Sequence, residues 1–276
     1  MTNNQGRKIL YTVLGFVAVI IVLIPFLWMI LTSFKTPDDI FSIPARWLPK
    51  NPTFANYVSV WRDYPFKAYF ANSLVVSLST VLIVVIVSTL AAYGLARFKV
   101  RCTSTLEMLI LSTQMIPVVV LVIPMFRIVR VFGLYDTRTG LILSYSAVTL
   151  PFCIWMLKGF VENIPKEIDL AAMIDGCTRF QAFRLVILPL MLPGIVATVV
   201  FAFLESWNLY LIPFVLTYST KSVPLTVGIA GLVNEHKIDW GQIMAASTIA
   251  ALPTLIVFLF FEKYLVANLT AGAIKQ

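Results

Sequence analysis

The chain has 276 residues, of which 59% are hydrophobic and only 12% charged, with a mean hydropathy of +0.90. Soluble domains carry about 25% charged residues, so a water-soluble globule is excluded, and continuous apolar runs of about 20 residues exclude the alternating pattern of a membrane β-barrel. The net charge of +8 fits an anionic membrane surface and orientation signals better than a nucleic-acid partner.

Six apolar spans are expected in one transmembrane domain covering 1–276: about 9–31, 70–91, 108–131, 140–157, 190–216 and 243–261. The first follows Asn-Asn-Gln-Gly-Arg-Lys. It is too long for the apolar core of a signal peptide, about 7–15 residues, and no A-x-A site follows, so it reads as a retained span. Arg7 and Lys8 precede it, and Arg97, Lys99 and Arg101 crowd the short loop after span two without an acid among them. That places both segments in the cytoplasm, and with six spans both termini lie there. Loops 32–69, 132–139 and 218–242 then face outside. The loop 32–69 also holds Lys35, Arg46, Lys50, Arg62 and Lys67, but long loops cross more freely, and Arg127 and Arg130 sit near the outer end of span three.

Span three contains Pro117 and Pro124, which kink a helix and free carbonyls. The bend is either an ordinary transmembrane kink or one that lets the helix lean during transport. Gln114 lies in the same run and is a candidate pathway residue.

The cytoplasmic loop 158–189 is unusually rich in signals. Pro165 suits a first helical turn, Glu167 and Asp169 sit near its positive end, and Gly176 suits a left-handed stop. The expected helix has about three turns, with Ile168, Ala171, Ala172 and Asp175 on one side. Thr178 and Gln181 form the T-x-x-Q capping box of a second helix, before Pro189 and Pro193 disturb the start of span five. Two readings fit: an interfacial loop solvated by its charges, or a lever gripped by a partner that moves spans four and five.

Glu205 is the one acid well inside a span, about 24 Å along a helix from Pro189 and so towards the outer side. Asn208 shares its face, with Trp207 and Tyr210 close by. An amide, a carboxylate and aromatic rings suit the mixed surfaces of a sugar, and they equally suit interhelical hydrogen bonds with an aromatic belt. Loop 218–242 is long enough to reach a partner or simply to cap the spans. His236, the single histidine, reads as a solvated side chain; Cys102, Cys153 and Cys177 have no C-x-x-C spacing, and no metal site is expected. There is no G-x-x-x-x-G-K-[ST], H-E-x-x-H or G-x-S-x-G motif, so no catalytic residue is assigned.

Leu170-Ala171-Ala172, three residues, Gly176, nine residues, then Val186-x-Leu188-Pro189 keeps the spacing of the E-A-A…G…I-x-L-P pattern. This resembles the permeases of ATP-binding-cassette importers, with Leu170 in the place of the motif's Glu and Asp169 just before it. The segments TSFKTPDDIF, AAYGLARFKV, GLYDTRTGLIL, ESWNLYLIPF and LTAGAIKQ are similar to carbohydrate-importer permeases of the maltose-type second subunit. The resemblance implies an all-α, six-span type I importer permease fold in the inner membrane, whose loop 158–189 carries a coupling helix. Glu167, Asp169, Ala171, Ala172, Asp175, Gly176, Leu188 and Pro189 would contact or shape the ATPase-facing surface. It implies a second permease subunit as heterodimer partner, two ATPase subunits holding ATP and Mg, an extracytoplasmic solute-binding protein engaged through loop 218–242, a sugar substrate and surrounding lipid. No cofactor would bind this chain, and in the maltose-type system the partner permease supplies most substrate contacts. The rival from another class is a proton-coupled transporter with Glu205 as its proton site, in which Glu205→Gln abolishes uptake.

Overall fold

The computed structural model describes residues 2–98, 103–234 and 237–273. Lys99, Arg101, Cys102 and His236, all weighed above, lie outside the described residues. In chain order the helices are α1 (Thr2–Ser33), α2 (Pro37–Ile40), α3 (Ala55–Asp63), α4 (Phe66–Arg97), α5 (Thr103–Thr113), α6 (Val118–Val131), α7 (Arg138–Glu162), α8 (Lys166–Ile174) and α9 (Arg179–Ala182). A π-helical segment, Phe183–Ile187, leads into α10 (Leu188–Leu190), α11 (Leu192–Asn208), α12 (Leu211–Leu216) and α13 (Leu225–Ala230). Strands β1 (Val233–Asn234) and β2 (Lys237–Ile238) pair antiparallel before α14 (Trp240–Ala273).

Among the described residues four helices, in α1, α4, α7 and α14, are long and apolar enough to cross a membrane, and up to six spans result if each of two bent pairs is one span. The bends fall beside prolines of expected spans three and five, and they are sharper than a kink. α5 and α6 meet at 98°. Pro117 has no N–H and disfavours helical backbone at the residue before it, while the hydroxyls of Ser112 and Thr113 donate to Leu109 O and Ile110 O over the last turn of α5. Pro124 stays inside α6 without ending it.

The expected span 190–216 is also divided. The run from Arg179 to Leu190 meets α11 at 72°, with Pro189 and Pro193 on either side of the turn. α11 stops at Asn208, because Pro213 cannot return a hydrogen bond to the Leu209 carbonyl; the Thr226 hydroxyl supplies it instead, at 2.8 Å.

The chain divides into two compact units. The first, 1–66 with 229–252, is tied by polar groups after α1. The Lys35 ammonium is buried, donating to Arg46 O at 2.6 Å and lying 4.1 Å from the Trp28 ring centre. The Asn56 amide donates to Ser33 O and Lys35 O, and a side chain at Gly241 would collide with it. In the second unit, 67–228 with 253–276, one core joins Val76, Val122, Leu141, Tyr145 and Ile212, and another joins Ala92, Leu157, Phe183, Ile187 and Met191. α7 and α11 approach closely enough that a Cβ at Gly194 would stand 2.5 Å from Phe160 Cγ.

Candidate coupling site and pathway cleft

Pro165 caps α8, Glu167 and Asp169 occupy its first turn, and Gly176 stops it at φ 90°. Behind that glycine, Gly176 N–H donates to Met173 O and Cys177 N–H to Ala172 O, the paired bonds of a Schellman stop. The Thr178–Gln181 capping box forms in both directions and starts α9. The local grammar of this loop was therefore readable residue by residue.

The face it presents was not. The four residues placed on one side are split: Ala172 is buried and Ile168 packs on the second core, whereas Ala171 and Asp175 are exposed. Leu188 also packs on that core, and Pro189 is exposed at the bend. Outward-facing residues are Glu167, Leu170, Ala171, Ile174, Asp175 and Gly176, with Leu170 54% and Ile174 85% exposed.

Asp169 requires a correction, since it does not face outward as a contact residue would. Its Oδ2 accepts from Arg97 Nε at 2.7 Å and its Oδ1 from the Tyr93 hydroxyl at 3.0 Å. Arg97 Nη2 also donates to Ile164 O at 2.8 Å, and the two charged side chains are only 6% and 11% exposed. These residues border a cleft of about 210 Å³ that Lys166 and Arg179 also line. Sequence alone marks Arg97 as an orientation charge and gives Tyr93 no role beyond its place in the family-like segment AAYGLARFKV. Their signal was the i, i+4 pair in AAYGLARFKV, which puts both on one face at the end of α4. A second link missed by sequence is Lys158, which bridges Glu162 at 2.6 Å and Glu107 at 3.2 Å and so ties α7 to α5.

Further along, Glu205, Asn208 and Tyr210 gather around a cleft of about 360 Å³, with Val118 at the start of α6. Asn208 spends its amide N–H on Leu204 O, leaving its oxygen available, and Tyr210 stacks on Phe214. Trp207 departs from the expectation: it is 4% exposed, stacked on Phe203 and edge-on to Phe70, because on a helix it is turned about 100° from Asn208 and further still from Glu205, into the core. Gln114, at the α5–α6 break, donates to Val148 O at 3.2 Å and does not line this cleft.

Residues 85–270 match the family described as binding-protein-dependent transport system inner membrane component. The chain is 35% identical over 95% of its length, and 93% of the relative's, to the sulfoquinovosyl glycerol transport system permease protein SmoH of Agrobacterium fabrum. It is 34% identical over its whole length, and 99% of the relative's, to the trehalose/maltose transport system permease protein MalG of Thermococcus litoralis. Among solved structures, a chain of a bacterial ABC transporter that imports the acidic polysaccharide alginate superposes with a TM-score of 0.82 at 22% identity, covering 96% of this chain and 98% of that one. The fold is thus that of an ABC importer permease, and the chain belongs to the family of inner membrane components of binding-protein-dependent transport systems.

Proposed function

We propose that this chain is one of two permease subunits of an ATP-driven sugar importer. It pairs with a second permease and rests on two ATPase subunits, which hold ATP and Mg. The observation that carries this is the outward face of α8, where Leu170 and Ile174 are exposed beside the small Ala171 on a helix with fixed ends. An apolar strip of that kind, on a water-facing loop between spans, suits a groove on a soluble partner. Both termini and the α8 loop lie in the cytoplasm, following the charges around spans one and two.

Sugar is the substrate class that the relatives' names support, and the Glu205, Asn208 and Tyr210 cleft supplies carboxylate, amide and ring surfaces that suit hydroxyl-bearing rings. The segment 218–242 is the side offered to a solute-binding protein. Glu167, Ala171, Asp175 and Gly176 border the ATPase contact, while Leu188 and Pro189 shape the turn behind it. ATP binding closes the ATPase pair, draws on α8 and biases the pathway towards its outward state; hydrolysis resets it.

The test is purification from membranes through a tag on this chain, with mass spectrometry of what accompanies it. A second permease and an ATPase in matched amounts are expected, and Ile174→Glu should remove the ATPase while leaving the second permease. A chain that emerges alone, or an Ile174→Glu variant that retains the ATPase in full, would sink the proposal.

A further inference from the structure

We infer that Arg97 is a positioning residue that latches the coupling helix to span two, so that force on α8 moves α4 as well as the spans joined to it through the backbone. This rests on the reading of α8 as the ATPase contact. The backbone leads from α8 only to α7 on one side and α11 on the other. The link to α4 is made by the side chains of α4, across more than 60 positions of sequence: Arg97 to Asp169 is a separation of 72 and Arg97 to Ile164 O one of 67.

The grip is two-sided. Arg97 holds the loop before α8 through Ile164 O and the first turn of α8 through Asp169, and Tyr93 takes the other carboxylate oxygen. The segment after α8 is fastened to the same end of α4: the Tyr93 and Phe183 ring centres lie 4.7 Å apart, and the Arg179 guanidinium is 5.4 Å from the ring centre of Phe98, the residue just past α4. A forked guanidinium in two fixed bonds transmits displacement in a way a single point charge does not. The pair is nearly dry, so separating it strands buried charge, and α8 and α4 therefore move together rather than slide. Asp169 sits one position before the exposed Leu170, so the acid of this segment is turned about 100° from the docking face and serves the latch.

The experiment uses the complex with its own second permease and ATPase, in a chain whose three cysteines are replaced by Ala. Spin labels are placed at exposed positions outside the docking strip, in the pairs Leu90→Cys with Trp155→Cys, and Lys166→Cys with Trp155→Cys. Distances are read without nucleotide and after trapping with MgATP and vanadate. Both distances should shift on trapping, by about 2 Å or more as in helix shifts at interfaces. In Arg97→Gln the 90–155 shift should vanish while MgATP hydrolysis continues, a result that simple loss of folded protein does not give. If the Arg97→Gln complex does not assemble, Arg97→Lys decides, because it keeps the charge but cannot grip Asp169 and Ile164 O together. A full 90–155 shift in the assembled variant, or none in the unsubstituted complex while 166–155 shifts, overturns the latch. No 166–155 shift at all would instead sink the reading of α8 on which it rests.

Discussion

Asp136 sits between α6 and α7 in the left-handed region, at φ 57°, where a non-glycine residue needs a local reason. The reason is its carboxylate. Oδ1 accepts from Tyr218 N–H at 2.8 Å, Ser219 N–H at 3.0 Å and the Ser222 hydroxyl, and its own N–H donates to Leu216 O. Desolvation pushes the group up, but the Ser222, Tyr218 and Ser219 donors outweigh it and hold the carboxyl down at about 2, below the ordinary 3.8. A depressed folded value means the clamp contributes fully above the ordinary carboxylate range and is lost as pH falls through about 2. Asp136→Asn should therefore lower stability at neutral pH by about 1 kcal/mol after solvent screening. Thermal unfolding in detergent should show that gap closing as the pH falls to about 2; a gap that is constant with pH would contradict the assignment. The same clamp, with Asn72 donating to Thr220 O and Val223 O, holds down the first part of the long loop after α12.

At the scale of elements, what could be read from sequence was what is decided locally. The ends of α8 follow from Pro165, Gly176 and the Thr178–Gln181 box, and each formed where its chemistry put it. What could not be read is decided by packing. Hydropathy is continuous through 108–131 and 190–216, so it marks apolar runs without reporting direction. The prolines marked where the runs would yield, but not that they would turn by 98° and 72°. In the same way the motif spacing around Ala171 placed the helix, but which face turned inward depended on Arg97 and Tyr93, remote in sequence. The pairing of α7 with α11 gives a direct check. Gly194→Ala puts a methyl 2.5 Å from Phe160 Cγ, a ring atom wedged between α7 and α11. It should cost about 1–3 kcal/mol as overpacking, seen as a lowered midpoint of thermal unfolding, and Phe160→Leu in the same chain should recover part of the loss. A neutral Gly194→Ala would mean that α7 and α11 do not close as described.

At the scale of the whole molecule, the helices differ in how much they bury. In its most apolar stretch α1 has no buried residue and α14 has few, while α4 is a third buried and α7 nearly half. α4, at 32 residues, is about 48 Å long at 1.5 Å per residue, and so overshoots a hydrocarbon core of about 30 Å by several turns. That excess carries its Arg97 end clear of the lipid tails, where a guanidinium and the α8 loop can meet. The unburied helices have the opposite character: their apolar surface is left to lipid or, in the proposed assembly, to the second permease, and not to this chain's core. Truncation should therefore separate the two classes. Leu141→Ala, in the core of α7, should destabilise the isolated chain by about 2–5 kcal/mol. Leu14→Ala, exposed on α1, should change it by no more than about 0.5 kcal/mol. Both are measured by thermal unfolding in detergent. The same α1 substitution, carried into the assembled importer, then reports on the surface that the isolated chain leaves open: a lost second permease in the co-purification puts that face of α1 at the subunit boundary, and an unchanged yield puts it in lipid.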